Sequence, residues 1–426
     1  MLIDPLETML PRGVKDFLPV KAAKIEYLDQ SLRRVFDQWG FRPLMPAALE
    51  YLHALERGLG IGLREKTFRF DDRQSGKLVA FSPDMTPQVA RIVATRMRDL
   101  PLPLRLRYSG RVLRHAEQQS GKDREIFQSG VELIGLDSPE ADAEMIAMAV
   151  SALQAVGGRN FTIDIGQVEF YRGVVADLEL DAGQSVALQD AIARKDASGL
   201  HMLLEESTLN DRAREEIAAL PRLFGGREVL ERAERAVTND RSRRALDNLA
   251  QVLDALDSDG IDDHITLDLG ELRGFDYHTG ITFQGFLGKM GRAVCSGGRY
   301  DGLTARYGHP TPATGFTFNL LNLLFALDRK LDGPAAVKTD MLIVSRGVPK
   351  NSSRALAHEL RKRGYSVARE LLDRDYATSL DYARKLNYRY VLVMHATAPH
   401  MQLLSLSDNS ERQLTREALL DGTVEL

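Results

Sequence analysis

"LRLRYSGRVLRHAEQQSGKDREIFQSGVELIG", residues 104–135, reads as two strands, 104–114 and 125–135, separated by a polar loop from His115 to Arg124. Upstream, "TFRFDD" (67–72) and "LVAFSPD" (78–84) have the same character. Such a run of strands predicts an antiparallel sheet rather than alternating βαβ units. Along the second strand of the opening stretch, Gln128, Gly130 and Glu132 share one face by the period of two. Between apolar neighbours, that face suits a floor on which an amide and a carboxylate read a polar ligand. The plainer reading is a solvated sheet face.

Working outward, residues 21–39 carry apolar side chains at helical spacing and end at Gly40, a C-cap residue. "FRPLMPAALEY" (41–51) follows as an extended segment, because Pro43 and Pro46 oppose a helix start. On the other side, "SPEADAEMIAMAVSALQAVG" (138–157) has Ser138 as N-cap, Pro139 in the first turn and Gly157 at the end. "FTIDIGQ" (161–167) is the next strand. Residues 171–260 then read as charged, alanine-rich helices with no strand, a helical insertion into one sheet domain that resumes at "HITLDLGELRGFDYHTGITFQGF" (264–286). An apolar helix is predicted from Gly315 to Leu327. Past a linker over 329–338, strand and helix segments alternate, which predicts a small α/β domain with a parallel sheet over 339–426. The expected division is therefore a core over 1–328 and this second domain.

At 426 residues the chain is too long for one ordinary core, and its net charge of −4 argues against obligatory nucleic-acid binding. The single cysteine, Cys295, leaves no internal disulfide framework or Cys-rich metal site, which fits a reducing cytoplasm. No signal peptide and no membrane-spanning run is evident, so a cytoplasmic protein with no membrane partner is expected.

Four segments concentrate polar chemistry. Asp84 and Thr86 sit in a proline-bounded turn before a helix, where a helix cap is the bland alternative. Arg111 and Arg114 end the strand that faces Gln128 and Glu132. "LGELRGFDYHTGITF" packs Glu271, Arg273, Asp276, Tyr277 and His278 beside glycines, a density uncommon in structural strands. His278 has no second His or Cys at ligand spacing, so no metal is expected. "SGGRYDGL" adds Arg299, Tyr300 and Asp301 behind paired glycines.

In this order, the motifs resemble the class II aminoacyl-tRNA synthetase fold and, within it, the histidyl branch. "LPRGVKDFLP" with "WGFRPLMPAALEY" is similar to the first class motif, "GRVLRHAEQQSGKDREIFQSGVELIG" to the second and "ATGFTFNLLNLL" to the third. "LRGFDYHTG" and "SGGRYDGL" resemble the histidine-specific motifs of that branch. The resemblance spans nearly the whole chain. It implies an α+β fold: an antiparallel-sheet core with a helical insertion, and a C-terminal α/β domain like the anticodon-binding one. It also implies a homodimer through the first motif around Pro46.

Two functions diverge within the branch: histidyl-tRNA synthetase, and the regulatory subunit of ATP phosphoribosyltransferase. A synthetase ends its third motif with an arginine for the ATP γ-phosphate; the matching residue here is Asn322, after Leu321. The adenine-contacting glutamate of the second motif is matched by Ala116. One lost guanidinium–phosphate bond removes about 1.5–3 kcal/mol. The amino-acid side is kept. The resemblance implies Asp84 and Thr86 for the ammonium and Arg273 for the carboxylate. It implies Gln128 and Glu132 for the amide and imidazole contacts, and Tyr300 stacking on the ring. Arg114 and Tyr277 complete the implied pocket, and His278 stands where the synthetase has a second tyrosine. The expectation is a non-catalytic, histidine-sensing subunit with L-histidine as ligand, the short-form ATP phosphoribosyltransferase catalytic subunit as partner, no cofactor and no tRNA. A functional synthetase and a free-standing histidine-binding protein are the alternatives.

Overall fold

The computed structural model describes residues 9–115, 123–176, 178, 180–207, 209–257, 260–272, 277–288, 290–333, 339–396 and 400–421. It divides into two compact units, Met1–Pro334 and Ala335–Leu426.

The first unit opens with helix α1 (Pro19–Gln38), which buries Ile25, Leu28, Leu32, Val35 and Phe36 along one stripe. Lys24 shares that buried face because its Nζ reaches carboxylates of Asp328 and Asp332, each at 2.7 Å. Among the described residues, twelve strands follow in this unit. β1 (Arg42–Pro43), β2 (Leu49–Tyr51), β3 (Arg69–Asp71) and β4 (Leu78–Phe81) precede the long pair β5 (Leu104–Leu113) and β6 (Glu125–Ile134). β7 (Phe161–Gln167), β8 (Phe224–Gly225), β9 (Ile265–Asp268), β10 (Ile281–Leu287), β11 (Ala293–Arg299) and β12 (Ala313–Asn319) complete the set.

β5 and β6 pair antiparallel over their full length, Leu104 against Ile134 through Leu113 against Glu125. They sit within a nine-stranded sheet of order β1–β5–β6–β12–β11–β10–β7–β9–β8. Its neighbours are antiparallel except β1 with β5 and β7 with β9. The segments 67–72 and 78–84 do form strands, but in a separate three-stranded sheet, β2–β4–β3.

Helix α2 (Thr86–Arg96) packs Val89, Ala90 and Val93 against Leu106, Tyr108 and Val112 of β5. Helix α3 (Pro139–Ala155) starts where Ser138 accepts from Ala141 N. It is buried on most of its circumference, between α1, the helix Asp240–Asp257 and the sheet.

Two expectations for this unit change. Residues 171–260 are not strand-free: Phe224 and Gly225 pair with Asp268 and Leu267, a nonlocal pairing that two residues cannot announce by periodicity. The helix expected from Gly315 begins at Leu320. The stretch 313–319 is instead a central strand between β6 and β11, favoured by its Thr and Phe residues. Helix α4 (Leu320–Leu327) then starts at Asn319, whose side chain accepts from the backbone N–H of Leu321 and Asn322.

The second unit holds β13 (Thr339–Arg346), β14 (Val367–Arg369), β15 (Tyr388–His395), β16 (Met401–Ser405) and β17 (Glu411–Leu414) in the order β14–β13–β15–β16–β17. The first three are parallel, as expected. β16 and β17 extend the sheet antiparallel, so it is mixed. A short 401–414 hairpin has no helix between its strands and needs no crossover. Apolar clusters cover both faces, one around Ile343, Leu356 and Leu392, the other around Val344, Ala383 and Val391. Among the described residues no helix is long and apolar enough to cross a membrane.

Candidate functional site

Above the centre of the main sheet lies a cavity of about 150 Å³. Its walls come from the turn before α2, the end of β5, β6, the segment at Tyr277, β11, β12 and the first turn of α4. Of the residues expected from the sequence, Asp84, Thr86, Arg114, Gln128, Tyr277, His278 and Tyr300 line it. They come from stretches up to about two hundred residues apart, which the sheet brings together. Arg273, Asp276 and Ala116 lie outside the described residues.

The first wall is an ion pair. Arg114 donates from Nη2 to Asp84 Oδ2 at 3.1 Å, and its Nε donates to the carbonyl of Pro83 at 2.7 Å. Asp84 Oδ1 accepts from Thr86 N at 3.2 Å, so the acid is anchored at the start of α2. Across from it, Gln128 Oε1 accepts from Met85 N at 3.1 Å. No hydrogen bond among the described residues uses its amide N–H groups, which leaves them for a ligand.

Glu132 lies beneath this cavity rather than on its wall. It is 1 % exposed. Its Oε1 accepts from Thr86 Oγ1 at 2.7 Å and Tyr108 Oη at 3.1 Å, and its Oε2 accepts a short bond from Tyr300 Oη. Gly315 of β12 permits this placement, because a Cβ there would collide with Glu132 Oε2 and the carbonyl of Val131. Burial outweighs the three hydroxyl donors and pushes the Glu132 carboxyl up to about 8. The same desolvation, with the carboxylate beside them, holds the Tyr108 and Tyr300 hydroxyls well above their ordinary value.

The aromatic wall is Tyr277, His278 and Tyr300, with the Tyr277 and His278 rings 4.2 Å apart. His278 is buried, which lowers its pKa to about 4 and keeps the ring neutral at pH 7. Its Nδ1 lies 3.2 Å from the carbonyl of Arg299. A carbonyl only accepts, so Nδ1 carries the proton and Nε2 is an acceptor. Arg299 is itself fixed below the surface, with Nε on Asp142 Oδ2 at 2.8 Å and Nη1 on Asp301 Oδ1 at 3.1 Å.

The far end of the cavity contains Ser296, Thr317, Asn319 and Asn322. Asn322 donates one Nδ2 N–H to the carbonyl of Ala293 at 2.7 Å, and Asn319 Oδ1 caps α4, so both side chains are oriented by backbone and neither carries a charge. Arg114 is the one cation lining the cavity among the described residues, and it is paired. Arg111 and Arg124 are held elsewhere, the first on Glu125 and over Phe127, the second over Phe68. The described residues show no group of His, Cys, Asp or Glu that could hold a metal.

Sequence reasoning missed Tyr108 and the β11–β12 floor. Tyr108 is the Cα partner of Gly130, so its phenol lies beneath the same polar face; a tyrosine opposite a glycine was the available signal. The β12 floor was hidden by reading its glycine as a helix start.

The family model described as "Histidyl-tRNA synthetase" matches residues 13–323. The ATP phosphoribosyltransferase regulatory subunit of Syntrophotalea carbinolica is 63% identical over 420 residues, covering 99% of this chain and 98% of its own. That of Geobacter sulfurreducens is 58% identical over 392 residues, covering 92% and 90%. A crystal structure from Bacillus halodurans, described as an ATP phosphoribosyltransferase regulatory subunit/histidyl-tRNA synthetase, is 28% identical with a TM-score of 0.81, covering 93% of this chain and 100% of that one. The histidyl-tRNA synthetase of Nostoc sp. PCC 7120, at 21% identity and a TM-score of 0.79 over 98% of this chain and 99% of its own, shares the fold. The chain belongs to the histidyl-tRNA synthetase-like family, within its branch of ATP phosphoribosyltransferase regulatory subunits.

Proposed function

We propose that the protein is the histidine-sensing regulatory subunit of a two-component ATP phosphoribosyltransferase, which catalyses the first step of histidine biosynthesis. It binds L-histidine in the cavity above Glu132, assembles with a short-form catalytic subunit that needs it for activity, and charges no tRNA. One observation carries this reading: amino-acid recognition groups line the cavity, while Asn322 at its far end is bonded to the carbonyl of Ala293. Oxyanion and phosphate chemistry needs cations or N–H donors aimed at the reacting groups. Asn322 carries no charge, and one of its two amide N–H donors is already spent on that carbonyl, so it cannot stand in for a cation there.

In this reading the ligand ammonium joins the Asp84–Arg114 pair, and Arg273 takes the carboxylate. The imidazole rests against Tyr277, His278 and Tyr300, with the Gln128 amide and the Nε2 acceptor of His278 completing its surroundings. Its N–H meets the hydroxyls of Thr86 and Tyr300, which Glu132 orients. Feedback then follows from linkage: histidine must favour one state of the complex over another. A two-fold dimer through the Pro46 region is supported by the exposed apolar side chains of Met45, Leu49, Tyr51, Phe70 and Leu78 on and beside the three-stranded sheet.

The test is reconstitution. Mixed with a short-form catalytic subunit, the protein should co-migrate with it in light-scattering chromatography, phosphoribosyl transfer should appear only in the mixture, and histidine should inhibit it. Histidine-dependent ATP–pyrophosphate exchange by the protein alone should stay at background. Independent peaks with no change in activity on mixing, or robust exchange, would remove the reading.

A further inference from the structure

Helix α4 has two working faces. Its first turn, with Asn319 and Asn322, borders the ligand cavity. Leu321, Leu324 and Phe325 line a different and larger depression of about 1220 Å³, whose floor also includes Phe17 and Met290. Asn322 borders both. Phe325 is 78 % exposed, an unusual position for an aromatic ring on a helix that otherwise buries Leu320, Leu323, Leu324 and Leu327.

The rim carries a charge surplus. Asp123 and Asp328 lie in the groove, but Lys15 and Lys24 pair with them at 2.6 and 2.7 Å. Lys21, Arg292, Arg329 and Lys330 are exposed and have no hydrogen-bond or ion-pair partner among the described residues. A cluster of unpaired cations around an apolar floor contrasts with a chain whose net charge is −4.

We propose that this groove docks an acidic segment with an apolar anchor, supplied by the catalytic subunit. Complementary charge would steer and orient the segment. The anchor would pack on Phe325 and the aliphatic floor, where the binding energy of such contacts concentrates. A protein segment fits better than nucleic acid, which favours successive aromatic platforms along a basic track. Phe17 is engaged edge-to-face with Phe127, and Phe325 is the one highly exposed ring lining the groove among the described residues. Leu321, Leu324 and Met290 offer no surface for stacking. The groove and the ligand cavity share one helix, so ligand and partner act on the same element. The inference rests on the regulatory reading above.

The test uses the full chain and a purified short-form catalytic subunit, with association followed by biolayer interferometry at low and high salt. Phe325→Asp should weaken the complex by about tenfold or more. The double variant Arg292→Glu/Lys330→Glu should slow association and flatten its salt dependence. Calorimetric histidine affinity of the double variant should stay unchanged, which shows that its fold and cavity are intact. If the wild-type chain forms no complex, the regulatory reading falls and this proposal with it. If the wild type binds and both variants bind equally well, only the groove is refuted. Variants that lose a single-stranded RNA oligonucleotide while keeping the catalytic subunit would also overturn it, in favour of a nucleic-acid surface.

Discussion

Replacing Glu132 by glutamine should change how many protons histidine binding releases. With a pKa of about 8, the carboxyl of the unliganded protein is mostly protonated at neutral pH. It holds about 0.9 of a proton at pH 7, from the distance of one unit below the midpoint. The amino acid brings an ammonium into the cavity above the buried carboxyl, and a positive charge nearby favours the carboxylate. Histidine should therefore expel that proton. The sign follows from a folded-state value raised above 4.5: protonation dominates below about 8, so ligand-driven ionisation is opposed below that pH and unopposed above it. The ionised fraction climbs from about 0.1 at pH 7 to about 0.5 at pH 8, so affinity should rise about fivefold, or ~1 kcal/mol. Titration calorimetry at pH 7 in buffers of different ionisation enthalpy counts the protons directly. The wild type should release about 0.9 proton more than Glu132→Gln, in which the amide cannot titrate but still meets the hydroxyls of Thr86, Tyr108 and Tyr300. Equal proton release in the two proteins would refute the placement of histidine over Glu132.

Two further outcomes follow from the same geometry. Gly315→Ala should force Glu132 and the Val131 carbonyl apart, destabilise the first unit by about 1–3 kcal/mol and sharply weaken histidine binding. Thermal shift and calorimetry report the two effects, and a variant with both unchanged would contradict the floor described above. Asp142→Asn removes the buried charge that faces Arg299, whose side chain is 7 % exposed, and should cost about 3 kcal/mol in chemical unfolding. Because the Arg299 carbonyl holds His278, histidine affinity should fall too; unaltered unfolding would show that Asp301 alone suffices.

Much of the scaffold was legible in the sequence because periodicity is local. The pair 104–114 and 125–135, the Ser138–Pro139 helix start and the parallel strands after the linker all follow from spacing and caps within a few residues. The polar face of Gln128, Gly130 and Glu132 was visible for the same reason, and the ordered motifs carried the family resemblance. Tertiary structure decided what that face does. Spacing cannot tell a solvated carboxylate from one buried under Tyr300, a partner 168 residues away. Nor can it tell that Tyr108 lies opposite Gly130, or that Gly315 is a strand glycine admitting Glu132 rather than the start of a helix. Short segments such as Phe224–Gly225 and the 401–414 hairpin take their state from the sheet edges they join, not from their own pattern. The residue types at the site were thus set by the chain, whereas the desolvation that raises the Glu132 pKa exists only once distant strands close over it.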